Sequence, residues 1–144
     1  MQYPAKIDKD IVRELPVAQT DCEIEVIDSA NEVATAVDCL MQEEVVGFDT
    51  ETKPSFTHGK SDKIALMQIS TAKKCFLFRL QMIGKSEALK NFLENEKIKK
   101  IGLALHGDLR NLRVWDKFTP KNFIDLQKIV IQYGIEELGL QRIY

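Results

Sequence analysis

The sequence predicts an α/β fold, with helices packed around a mixed β-sheet. Three observations carry that expectation. Apolar or alternating runs of strand length recur along the chain, among them VVGFDTE (45–51), IALMQIS (64–70) and KCFLFRL (74–80). Segments with apolar residues at helical spacing lie before and after them, as in ANEVATAVDCLM and LHGDLRNLRVW. The two periodicities alternate along the chain instead of separating into halves, which is the pattern of a sheet flanked by helices.

Residues 1–21 are polar, with Pro4 and Pro16, and read as an N-terminal arm with little regular structure. CEIEVID (22–28) alternates and reads as an edge strand. Ser29 followed three residues later by Glu32 is a capping-box pattern. Val33, Val37, Leu40 and Met41 then recur at helical spacing, so a helix is expected over roughly 30–43. VVGFDTE reads as a central strand. The segment 52–63, with Pro54 and Gly59, reads as a loop. IALMQIS and KCFLFRL, joined by a short turn, complete an antiparallel meander. KSEALKNFLENE (85–96) places Leu89, Phe92 and Leu93 on one helical face, and KIKKIGLAL (97–105) opens with a strand. In LHGDLRNLRVWDKF, Leu105, Leu109 and Leu112 recur at i, i+4 and i+7. NFIDL (122–126) reads as a short strand, with Asp125 capping a helix that carries Leu126, Ile129, Val130 and Tyr133. GIEELGLQRIY has the apolar pattern of a helix just beginning.

At 144 residues one domain is expected, here residues 22–144 after the arm. A hydrophobic fraction of 44% suffices for a core, and the net charge of −2 signals no broad basic surface. Any grip on a polyanion would therefore be local, or would act through bound metal. Cys22, Cys39 and Cys75 are odd in number and lack zinc spacing, so they read as reduced, mostly buried thiols of a cytoplasmic protein. No run is long and apolar enough to cross a membrane, and the residues leave the oligomeric state open.

The stretch VVGFDTET poses the functional question. Side chains alternate along a strand, so Val45, Gly47, Asp49 and Glu51 share one face, and Val46, Phe48 and Thr50 share the other. Two carboxylates on one face repel. They are either solvated at the strand end or neutralised by a divalent cation, and Mg²⁺ and Mn²⁺ favour such oxygen donors. A third acid, Asp108, falls beside the apolar stripe of its helix, where an ionised carboxylate needs a partner. The plainer reading of Asp108 is a first-turn acid that complements the helix dipole.

Taken together, VVGFDTETKPSF…GKSDKIALMQIS and IGLALHGDLRNLRVWDKF…NFIDLQKI resemble the DEDD superfamily of 3′–5′ exonucleases, in particular the Werner-type and ribonuclease D branches. The resemblance spans roughly residues 23–144. It implies a ribonuclease H-like mixed sheet flanked by helices. It also implies metal-dependent hydrolysis of phosphodiester bonds at a DNA or RNA 3′ end, with release of nucleoside monophosphates. Two Mg²⁺ or Mn²⁺ ions per site would activate water and stabilise the leaving oxygen. By carry-over Asp49 would bridge both metals, Glu51 would bind one and Asp108 the other. The family's third motif, Tyr or His followed four residues later by Asp, finds no match, because Tyr144 is the last residue. The expectation is accordingly a domain lacking its C-terminal helices, with weak or no activity of its own. The alternative is a non-catalytic nucleic-acid-binding or scaffold domain on the same fold.

Other residues carry weaker expectations. His58 reads first as a surface histidine; otherwise its loop, with Lys53 and Lys60, touches the nucleic-acid backbone. His106 reads as a helix-entry residue near the substrate. Gln68, on the strand beside GFDTE, would face the same cleft if the register allows. Trp115 reads as core, with base stacking as the alternative. Lys97, Lys99 and Lys100 read as solvated surface, with phosphate contact as the alternative.

Overall fold

A computed structural model describes residues 3–53 and 63–143. Six strands form one mixed sheet: β1 (Glu23–Ile27), β2 (Val45–Lys53), β3 (Lys63–Ser70), β4 (Lys74–Arg79), β5 (Lys99–Gly102) and β6 (Phe123–Asp125). Their order across the sheet is β1-β4-β3-β2-β5-β6. The centre is the expected antiparallel meander β2-β3-β4. The outer pairs β1–β4, β2–β5 and β5–β6 are parallel, which makes the sheet mixed. β1 lies at one edge, as its short alternating sequence suggests.

The helices are α1 (Lys9–Glu14), α2 (Ala30–Leu40), α3 (Leu80–Ile83), α4 (Glu87–Leu93), α5 (Leu105–Trp115), α6 (Leu126–Val130) and α7 (Leu140–Ile143). The capping box that predicts α2 is present: the Ser29 amide donates to Glu32 Oε2 at 3.1 Å. The core lies between one sheet face and helices α2, α4 and α5. Phe48, Ile69, Phe76 and Phe78 from the sheet meet Val37, Leu40, Phe92, Leu93 and Leu112. The opposite face is only partly covered. There Leu126 and Leu140 border a groove of about 760 Å³ over Gly47, Ser70, Cys75 and Ile101.

Several expectations are corrected. The arm is not featureless. α1 is capped by Asp8, whose carboxylate accepts from the Asp10 amide at 2.8 Å, yet α1 buries no residue. A helix that buries no residue leaves no apolar period to read. The arm also meets the C-terminal segment, with the Glu136 amide donating to the Ala5 carbonyl at 2.8 Å and Lys6 paired with Glu136 at 3.0 Å. α3 forms at Leu80, where a continuing strand was expected; its burial of Leu80 and Ile83 overrides local propensity. α2 stops at Leu40 and α4 covers only Glu87–Leu93, both shorter than their apolar patterns suggest.

The cysteines are free but not mostly buried. Cys39 is exposed on the solvent side of α2, and Cys22 and Cys75 are half-buried. Lys100 is not solvated surface. It is fully buried, and its Nζ donates to the carbonyls of Asn95 (2.8 Å), Ile98 (2.9 Å) and Phe92 (3.4 Å). The alternation of β5 turns Lys100 inward beside Val46 and Phe123, where it ties down carbonyls at the end of α4.

Candidate active site

β2 runs through the sheet with the expected alternation. Val46, Phe48 and Thr50 are buried, while Asp49 and Glu51 are exposed on the other face. The ladder register sets Asp49 opposite Gln68 and Glu51 opposite Leu66, then shifts between Glu51 and Thr52. Such an irregularity re-aims side chains near a strand end. Gln68 thus shares the face of Asp49, and both line the open groove.

Asp108 lies in the first turn of α5. Its carboxylate accepts a hydrogen bond from the hydroxyl of Thr50. Because Thr50 points to the helix-covered face, Asp108 approaches β2 from that side, whereas Asp49 and Glu51 project from the opposite one. Burial, the largest influence, pushes the Asp108 carboxyl above its ordinary pKa. The Thr50 hydroxyl pulls it back, and the negative charge of Asp49 raises it further. Asp108 is thus close enough to feel the charge of Asp49. Among the described residues, no three His, Cys, Asp or Glu side chains gather closely enough to hold a metal ion.

Two further residues, absent from the expected site, position α5. Gly102 ends β5 where the chain crosses close to β2. A Cβ at that position would stand 2.5 Å from the Phe48 carbonyl oxygen and would also strike the Leu105 side chain. Asp125 then clamps the helix start. One oxygen accepts from the Ala104 amide at 3.0 Å and the other from the Leu105 amide at 3.1 Å. Asp125 also caps α6, as expected, through the Gln127 amide at 3.0 Å. Ala104 adopts the left-handed conformation, with φ of 54°, so this clamp holds a turn disfavoured for a residue with a Cβ. The sequence signalled only the cap, an Asp at the end of a short strand; this second role appears once β5 and β6 pair.

The remaining expected site residues are less gathered. Lys53 and His106 are exposed, and His58 lies outside the described residues. The donor set itself is three carboxylates with no sulfur, which fits a hard divalent cation.

Comparison with known proteins bears on the family and the fold. A family model described as 3′–5′ exonuclease matches residues 24–143. The mouse (Mus musculus) bifunctional 3′–5′ exonuclease/ATP-dependent helicase WRN is 38% identical over 93 residues, covering 62% of this chain and 7% of that protein. A putative 3′–5′ exonuclease, R431, of Acanthamoeba polyphaga mimivirus is 36% identical over 73 residues, covering 50% of this chain and 18% of that protein. The chain thus spans less than a fifth of the length of these relatives. The crystal structure of Trypanosoma brucei RNase D in complex with GMP superposes with a TM-score of 0.68 at 22% identity, covering 75% of this chain and 34% of that one. That likeness establishes the shared ribonuclease H-like fold. With the matching family model running through β2, α5 and Asp125, the chain belongs to the 3′–5′ exonuclease family.

Proposed function

We propose that the chain carries catalytic carboxylates of a metal-dependent nuclease that removes nucleoside monophosphates from the 3′ end of DNA or RNA. The observation that carries the reading is the pairing of Asp49 and Glu51 at the end of β2 with Asp108, tethered to the intervening Thr50. In this reading Asp49, Glu51 and Asp108 hold Mg²⁺ or Mn²⁺. The bound cations supply charge that activates water and stabilises the leaving 3′ oxygen. Thr50 holds Asp108 in one orientation, and the Asp125 clamp fixes the helix that bears it. Gln68, beside Asp49 in the groove, contacts the terminal nucleotide, while Lys53 and His106 lie along its approach. Free cysteines support a reducing compartment such as the cytoplasm.

One observation favours a second reading, a nucleic-acid-binding module without catalysis. Among the described residues the three acids do not gather into a metal-holding cluster. It also supports weak activity of the 144-residue chain by itself. Titration of the chain with Mn²⁺, followed by calorimetry, separates the two. The exonuclease reading expects saturable binding that Asp49→Ala removes. Binding that survives Asp49→Ala and Glu51→Ala favours the second.

A further inference from the structure

A second groove, of about 480 Å³, opens between the start of β3 and the outer side of α5. It is lined by Lys63, Ile64, Gln81, Arg110, Asn111, Val114 and Trp115. Its described lining thus holds two cations and no acid, in a chain of net charge −2. The Gln81 amide donates to the Ile64 carbonyl at 2.8 Å, which braces one wall. Trp115 is half-buried: it packs against the core and also lines the groove, so its ring is held in place before any ligand arrives. Asp108 and Trp115 lie seven residues apart on one helix, on nearly the same side and about 10 Å apart along the axis. Lys63 pairs with Lys53 in the ladder, two residues past Glu51. The groove therefore opens beside the end of β2 that follows Glu51, on the α5 side of the sheet.

We propose that this groove is a subsite for an unpaired nucleotide of the substrate strand, upstream of the scissile bond. The indole of Trp115 stacks on a base, Arg110 and Lys63 take the flanking phosphates, and Asn111 offers a polar contact to the base edge or sugar. A flat aromatic surface beside cations is what sequence-tolerant single-strand binding requires. Only an unstacked base can lie against the ring, so the subsite selects a frayed or single-stranded 3′ segment over a blunt duplex. The proposal rests on the exonuclease reading, because it assigns the groove to the same strand.

Trp115 is the chain's one tryptophan, so its emission reports this groove directly. The test titrates the 144-residue chain with a short oligothymidylate, an oligouridylate and a blunt duplex, in EDTA, while following tryptophan emission and oligonucleotide anisotropy. Both single strands are expected to quench the emission, and the duplex is not. Trp115→Phe should keep most of the affinity, and Trp115→Leu should lose at least about fivefold. Arg110→Gln, on the exposed side of α5, should lower the dependence of log affinity on log salt by about 0.7. That variant keeps the test decisive if Trp115→Leu fails to fold. Unchanged emission at saturating single strand, absence of binding, or an unaltered salt slope in Arg110→Gln overturns the subsite. A parallel cleavage assay with Asp49→Ala separates the two claims. Quenching without Asp49-dependent cleavage keeps the subsite and rejects the nuclease. Asp49-dependent cleavage without quenching does the reverse.

Discussion

The Thr50 hydroxyl donates a hydrogen bond to the Asp108 carboxylate, joining the central strand to the first turn of α5 across 58 residues of sequence. Thr50 sits between Asp49 and Glu51 but faces the other way. One three-residue segment therefore presents two acids to the open face and grips the third from behind. Thr50→Val keeps the shape and removes the donor. It should cost about 1–3 kcal/mol in urea unfolding, since a partly buried charged acceptor loses its partner. Thr50→Ser should recover most of it.

Asp125 satisfies three backbone amides at the starts of two helices. Asp125→Ala leaves those amides without their acceptor and should lower stability by about 2–3 kcal/mol. Hydrogen exchange should show faster exchange at Ala104, Leu105 and Gln127, with little change in β3 and β4.

Gly102→Ala tests the close crossing of β5 and β2. The added methyl meets the Phe48 backbone oxygen, which has no flexible end to swing away. An overpacking loss of about 1–3 kcal/mol is expected. Ala substitution at Gly107, which has open space around it, should be neutral or stabilising because Gly107 lies within α5.

Much of this frame was legible in the sequence. The alternation in VVGFDTET sorted Asp49 and Glu51 from Thr50, and the Leu105/Leu109/Leu112 stripe put Asp108 at the margin of the buried face. Periodicity did not reveal the long-range partners. Nothing local links Thr50 to Asp108, or Asp125 to Ala104, because each pair forms only once β2, β5 and β6 lie side by side. Lys100 was misread for a related reason. A lysine within a run of lysines reads as solvated until the strand register turns one of them onto the core side.

Lys100 carries a pH prediction. Burial lowers its pKa from 10.5 to about 8. Between about 8 and 10.5 the unfolded chain binds more protons at this site than the folded one, so stability at this position rises with pH. The cost of the buried charge is fully present below that window and gone above it. Urea unfolding of wild type against Lys100→Met should show the difference shifting in favour of wild type by roughly 1–3 kcal/mol across the window. A constant difference would mean that the amine titrates normally.

The central claim is that Asp49, Glu51 and Asp108 act on a nucleic-acid 3′ end through divalent metal. It is tested most directly by hydrolysis of 3′-labelled single-stranded DNA and RNA with Mg²⁺ or Mn²⁺. The assay compares the 144-residue chain, any longer native form of the protein, and Asp49→Ala in each. The account predicts metal-dependent release of labelled mononucleotide and a loss of at least about a hundredfold in Asp49→Ala. Equal release by Asp49→Ala and wild type would contradict it.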